Sequence, residues 1–492
     1  MTRAITARPT VLTTLRHGTP QCWMVRLFEI PLWRSLKAKS LNTRTYWRSK
    51  KQPVSDLWSP GQARLRDCLG TIAWSCSIVF AASAGAIDGQ SWDKADANLL
   101  ADARAIHQRV LTFDAHADIE IPGKPSMYVG ADGLSKVAIE KMQQGNLDAV
   151  AMAVAVGPLP RNQEGFAEAR RIADEKLAAA VALTENPDQP VQLVTSSDAL
   201  VAAVGNGQRA IVLSLQNALI FGDAVAVIDD FYAQGVRIFA LTHMGHNEFA
   251  DSSRPLFDAE TGTREAPSEH GGLSAKGRAA VQRFNELGAV IDISQLSTEA
   301  ALEVISLSQA PVVASHSNAR ALTNVSRNLS DAEVRRLAQR GGVIHVAPFA
   351  GYLFDSQNPD IDASIRALRR KAGIDEDYLY PFELYWEIDD ASVKTEFLAG
   401  VRGLLGPISL DTMLDHIDHI VALVGADHVG IGTDFNHGSG IPGYVDASDS
   451  LNVTLGLLQR GYSESQIRKI WGGNFLRVWR EVERRGLGST SQ

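Results

Sequence analysis

"VLTFDAHAD", residues 110–118, is an apolar run that closes on a histidine and an aspartate two positions apart. Side chains at i and i+2 of a strand project to the same face, so His116 and Asp118 can converge on one point. Imidazole and carboxylate together suit Zn²⁺ or a similar divalent ion. Such a pair also arises by chance where a strand meets water, so its surroundings decide its meaning. Those surroundings repeat. "LDAVAMAVAV" (147–156), "AIVLSLQNA" (210–218), "VRIFALTHM" (236–244) and "AVIDISQLS" (289–297) have the same form. So do "PVVASHSNA" (311–319), "GVIHVAPFA" (342–350) and "HVGIGTDFN" (428–436). Amphipathic stretches lie between them, including 167–183, 274–288, 297–309 and 330–341, several opening on Ser as an N-cap and several ending in Gly. Continuous apolar runs suit strands buried on both faces of a parallel sheet. Eight strand–helix units predict an α/β fold, a TIM-type (β/α)₈ barrel. An open doubly wound sheet is the alternative, but no Gly-rich phosphate turn follows the first strand. Residues near 352–410, with "DEDYLYPFELYWEIDD" at 375–390, fit no unit and read as a loop insertion at the catalytic rim.

In such a barrel the chemistry sits where strands end. Polar residues collect there: His116 and Asp118, Gln216 and Asn217, His243, Gln295, His316 and Asp434. One strand-end histidine has a bland structural reading. Six strands delivering candidate ligands or acid/base groups to one rim point to a site.

Charge divides the chain. Residues 1–84 carry thirteen Lys/Arg against three Asp/Glu, whereas residues 85–492 carry thirty-five against fifty-three. An acidic body argues against nucleic acid as a partner. The leader holds Arg64 and Arg66, then "CLGTIAWSCSIVFAASAGA" (68–86), with Ala82-Ser83-Ala84 as a cleavage pattern. The expectation is an exported, periplasmic or secreted protein whose mature domain spans 85–492, with translation starting nearer residue 60. The apolar run is too short for a convincing membrane anchor. Cys22, Cys68 and Cys76 all lie in the leader, so neither a disulfide nor a thiol is expected to serve the body. A homodimer is compatible with the sequence.

Several motifs together resemble the renal, or membrane, dipeptidase family of metal-dependent barrels. They are "DAHAD" (114–118), "ALTHMGHNEFADSS" (240–253) and "GLSAKGRAAVQRFNELGAVIDISQLS" (272–297). "APVVASHSNARALTNVSRN" (310–328), "GIGTDFNHG" (430–438) and "GYSESQIRKIWGGNFLRVWREVE" (461–483) continue the match in order. The resemblance implies hydrolysis of a dipeptide's amide bond at a two-zinc centre, often with tolerance of a D-residue at the C-terminal position. It makes His116 and Asp118 ligands of the first metal and His316 a ligand of the second. His243 would contact the substrate or its tetrahedral intermediate, Arg327 would hold the substrate, and Asp434 would be the acid/base. Two positions depart from the family: Gln216 stands where the resemblance implies a bridging glutamate, and Gln295 where it implies a histidine.

A neutral amide cannot neutralise the charge between two cations a few ångströms apart. The expectation is therefore at most one tightly bound divalent ion, zinc by preference, on His116 and Asp118 with Asp434 or Gln216 completing the set. The mechanism expected is attack of an activated water on the scissile carbonyl, with Asp434 moving its proton and His243 stabilising the oxyanion. A catalytically weakened peptide- or amide-binding relative, or a lactonase-like hydrolase on the same barrel, are the alternatives. Among the other histidines, His246 is expected to face solvent and His345 to lie within a strand. "DHIDHI" (415–420) reads as a solvated helix face, His428 lies at the far end of the barrel, and His437 is a candidate accessory group.

Overall fold

The computed structural model describes residues 96–187, 189–258, 263–382, 388 and 390–486. The leader, its cleavage pattern and the boundary at 84/85 lie outside them. Eight parallel strands pair in chain order. They are β1 (Phe113–Asp118), β2 (Ala149–Ala155), β3 (Arg209–Gln216), β4 (Val236–Ala240), β5 (Val290–Asp292), β6 (Val313–Ala314), β7 (Val343–Val346) and β8 (Val429–Ile431). The ring closes through a parallel bridge between Ala117 and Phe435. There the Asp118 N–H donates to the Phe435 carbonyl at 2.9 Å and the Asp434 N–H to that of His116 at 2.8 Å. The predicted barrel is thus the observed one.

Alternation sorts the side chains. On β2 and β3, Val150, Met152, Val154, Ile211, Leu213 and Leu215 belong to the core beneath the surrounding helices. Ala149, Ala151, Ala210 and Val212 belong to a separate core inside the barrel. The C-terminal helix Asn474–Arg485 joins that inner core. Its Phe475 stacks on Phe113 at 4.1 Å between ring centroids, and Trp479 is fully buried beside it. The Trp-rich C-terminus thus serves packing.

A register shift in β1 between Asp114 and Ala117 re-aims the strand end. Through it Asp118 pairs with Ala153 of the inward-facing set on β2, and His116 shares its face. Helices between strands take the expected caps. Ser274, Ser297 and Ser330 each accept a backbone N–H of the first turn, and Gly288 ends its helix in the left-handed conformation.

The predicted insertion is real. After β7 come helices Ala350–Leu353, Pro359–Lys371 and Ala391–Leu404, before helix Leu410–Val424 leads into β8. A second excursion follows β4 and contains a two-stranded hairpin, Phe257–Asp258 with Thr263–Arg264. Among the described residues no helix is long and apolar enough to cross a membrane.

Two expectations fail. His246 is buried: its Nδ1 accepts from the Ser252 N–H at 3.0 Å, and its Nε2 lies 2.8 Å from the Ala266 carbonyl. "DHIDHI" is not a solvated face. His416 is buried and accepts from the Ala319 N–H at 3.1 Å, while His419 meets Asp331 at 2.8 Å. The helix lies against helix Asp331–Gln339, so its polar residues serve as tertiary ties. His345 lies in β7, buried, hydrogen-bonded through Nδ1 to the Ala314 carbonyl. His428 lies ahead of β8, at the opposite barrel end, 2.9 Å from the Gly342 carbonyl.

Candidate metal centre and active site

The strand ends converge. His116 and Asp118 from β1 face each other with Nε2 and Oδ1 3.5 Å apart, and among the described residues neither atom has a hydrogen-bond partner. The His316 ring, just past β6, stacks on His116 at 3.9 Å. Gln216 and Gln295 both point their amide nitrogens at His316 Nε2, at 3.3 and 3.4 Å. Asp434 follows β8 and accepts from the Tyr352 hydroxyl at 3.3 Å. Arg327 is 1% exposed, donates from Nη2 to the His316 carbonyl at 2.9 Å and lies over the Tyr352 ring at 4.9 Å. Among the described residues its Nε and Nη1 have no hydrogen-bond partner. His243 is buried, its Nδ1 without a hydrogen-bond partner among the described residues, and its ring meets that of His437 edge-on at 5.3 Å. His437 Nδ1 lies 3.1 Å from Asp118 Oδ2. His116, Asp118, Gln216, His243, Gln295, His316, Arg327 and Asp434, all candidates from the sequence, therefore meet at one rim.

The backbone is shaped for this. Asn217, Gln295, Asp434 and Asn436 all have positive φ, at 89°, 70°, 56° and 62°. Each sits just beyond a strand end, where such conformations cost about 1–3 kcal/mol and persist only if the surroundings hold them.

Sequence reasoning missed the groups that hold the histidines. The Ser315 hydroxyl donates to Asp292 Oδ2 at 2.5 Å and lies 2.8 Å from His316 Nδ1 and 3.4 Å from His116 Nδ1. Its own proton goes to the carboxylate, so His316 Nδ1 carries a proton and leaves Nε2 as the acceptor for the two amides. His116, Asp292 and His316 offer ligand atoms within 4.8 Å of one another. The Ser315 hydroxyl lies among them, so this trio reads as a hydrogen-bonded hub behind the site. Asp292, set inside an apolar strand, was the available signal.

Burial and neighbours set the charges. Burial works against the Asp118 carboxylate, but Lys176, His116 and His437 hold it well below the usual range. His116 is raised despite its burial, by Asp118, Asp434 and Asp292. Burial keeps His243 and His316 well below the ordinary imidazole value, helped by Arg254 at the first and His116 at the second. Burial raises Asp434, opposed by His437 and His116.

The first-metal pair fits a cation. Two donors each about 2.1 Å from a tetrahedral zinc lie roughly 3.4 Å apart, close to the observed separation. Beside His316, a second position is faced by two neutral amides. Two dications about 4 Å apart repel by on the order of 15 kcal/mol even at an effective dielectric of 20, and no carboxylate stands at Gln216 to offset that. The Gln295 oxygen is taken by the Arg254 guanidinium. A cavity of about 240 Å³ opens outward from Asp118 and His243, lined also by Tyr128, Lys124, Lys176 and His437.

The family model described as membrane dipeptidase, peptidase family M19, matches residues 100–491. The chain belongs to the membrane dipeptidase family. By that membership it is a hydrolase and a metal-dependent dipeptidase. Dipeptidase tcpJ of Claviceps purpurea is 28% identical over 356 residues, covering 70% of this chain and 69% of the relative. Dipeptidase aclJ of Aspergillus oryzae is 31% identical over 280 residues, 56% of this chain and 52% of its own. The match thus spans half to about two thirds of these curated relatives' lengths. Among solved structures, the probable dipeptidase PvdM of Pseudomonas aeruginosa is 34% identical, with a TM-score of 0.70 over 79% of this dipeptidase and 99% of that chain. A Rhodobacter sphaeroides metallopeptidase, solved with a phosphinate mimic of L-Ala-D-Ala, shares the fold at 19% identity and a TM-score of 0.58, covering 76% of this chain and 99% of its own.

Proposed function

We propose that the protein hydrolyses dipeptides with a single divalent ion, of zinc type, held by His116 and Asp118, and accepts a D-residue at the C-terminal position. The observation that carries this reading is the buried pair His116 Nε2 and Asp118 Oδ1, facing each other without hydrogen-bond partners among the described residues. Bound there, the ion would polarise the scissile carbonyl and acidify a water. The rest falls to the chain's own groups. Arg327 offers Nε–H and an Nη1–H to a substrate carboxylate, a charge-assisted pair in a buried setting. His243, neutral through burial, can donate a hydrogen bond to the carbonyl oxygen as charge develops there. Asp434 takes the attacking water's proton and returns it to the departing amine. Its raised pKa strengthens it as a base relative to an exposed carboxylate. Tyr352 orients it and helps exclude water.

The test is a panel of L,L- and L,D-dipeptides given to the purified protein, with tripeptides as controls. Release of free amino acids from dipeptides alone supports the reading. Tight binding without turnover would favour the second reading, a weakened peptide binder, which Gln216 and Gln295 suggest. The basic leader, its apolar run and Ala82-Ser83-Ala84 support export to the periplasm or beyond. N-terminal sequencing of exported protein is expected to start near Gly85 or Ala86.

A further inference from the structure

We propose that Arg254 stands in for a second cation: its guanidinium, bound to Gln295, supplies the positive charge on the His316 side of the centre and keeps a second divalent ion out. The inference rests on the single-ion reading above but is read out separately from turnover.

Arg254 lies in the excursion after β4, 4% exposed, with its guanidinium over the Tyr380 ring at 5.5 Å. Its Nη2 donates to Gln295 Oε1. Gln295, at φ 70°, thereby turns its amide so that oxygen meets arginine and nitrogen meets His316 Nε2. Gln216 donates to the same His316 nitrogen. The lone pair a second ion would need is thus already accepting two amide hydrogens. The two glutamines and the arginine form one self-consistent unit. Each amide is oriented by its partners, and a dication beside His316 would sit two hydrogen bonds from a buried guanidinium of like charge.

The charge balance agrees. Replacing a dication and a bridging glutamate by an arginine and a glutamine leaves the centre's net charge unchanged. Arg254 also lines a recess shared with Tyr128, Tyr352, Tyr380 and His437, so it faces the space where a substrate reaches the rim. It contributes to holding His243 neutral. A guanidinium placed there favours an anionic tetrahedral group, such as a phosphinate, as its ligand.

The experiment measures tightly bound metal by elemental analysis in the wild type, Q216E/Q295H and R254M/Q216E/Q295H, each checked for folding by circular dichroism. The expected result is equal stoichiometry in the first two and one further equivalent in the triple variant. A second ion gained by Q216E/Q295H alone, or none gained by a folded triple variant, overturns the proposal. If the methionine variant does not fold, R254Q in the same background carries the same expectation. In the single variant R254M, affinity for a phosphinate dipeptide mimic should fall by about 100-fold, as when one partner of a buried charged pair is truncated; unchanged affinity also overturns it. The expected metal pattern without dipeptide hydrolysis would refute the proposed function and leave this inference standing.

Discussion

Ser315 orients two imidazoles with one hydroxyl. It lies on the Nδ1 side of both His116 and His316 and donates its own proton to Asp292. A ligand histidine fixed at one nitrogen presents the other at a set angle, and removing such a support commonly lowers metal affinity 10- to 100-fold. Ser315→Ala should therefore weaken metal binding by roughly 10- to 100-fold with the fold intact, read by metal titration beside circular dichroism. Asp434→Asn should lower kcat by about 100-fold or more with little change in KM, because an amide cannot carry the proton. Arg327→Met should mainly raise KM, since its contact exists in ground and transition states alike. Steady-state kinetics on one good dipeptide separates the two. His116, Asp118, Gln216, Gln295, His316 and Asp434 were legible because each closes an apolar run. Asp292 and Ser315 were not, because their pairing joins neighbouring strands 23 residues apart and depends on register. Arg254 sits in an irregular loop, where no periodicity marks which way a side chain turns.

At the scale of elements, β8 and its exit bring Asp434 beside His116. "GIGTD" makes that approach feasible, since a Cβ on Gly432 would lie 1.8 Å from the Ser315 carbonyl oxygen and one on Gly430 2.3 Å from the His345 ring. Gly432→Ala should push β8 from its neighbours and destabilise the protein by about 3 kcal/mol, measured by denaturant unfolding. The eight strand–helix units were readable because buried parallel strands need unbroken apolar runs and their helices need caps. The insertion was readable because it broke that rhythm. Its aromatic cover was not. Tyr352 and Tyr380 reach back over Arg327 and Arg254 only after helices Ala350–Leu353 and Pro359–Lys371 fold, and no local pattern encodes that return. The errors over His246 and His416 share a cause: loop and outer-helix histidines become buried when other elements close over them.

For the whole molecule, three buried histidines outside the rim set the response to acid. Burial lowers His107 and His345 to about 4 and His416 to about 3. His107 ties the first described helix to Thr454 and to the Gly145 carbonyl. Between pH 6.5 and 4 the unfolded chain binds more protons at these groups than the folded one, so stability rises with pH there and is lost on acidification. Each costs about 3–5 kcal/mol of stability once the solution lies below its folded value. Asp114, pushed up to about 6 by burial, works in the opposite sense between about 3.8 and 6, as do Asp148 and Asp434, which burial also raises. Thermal melts should show Tm falling from pH 7 to 4.5. His416→Asn, which keeps an acceptor for the Ala319 N–H, should flatten that slope; a Tm that rises on acidification would contradict the assignment.

Dipeptide hydrolysis by one ion at His116 and Asp118 is tested by following turnover through chelation and stepwise zinc return. Activity should vanish with the chelator and recover fully at one equivalent. In His116→Ala no recovery should occur at that equivalence. Hydrolysis that survives complete metal removal, or that returns only at two equivalents, would contradict it.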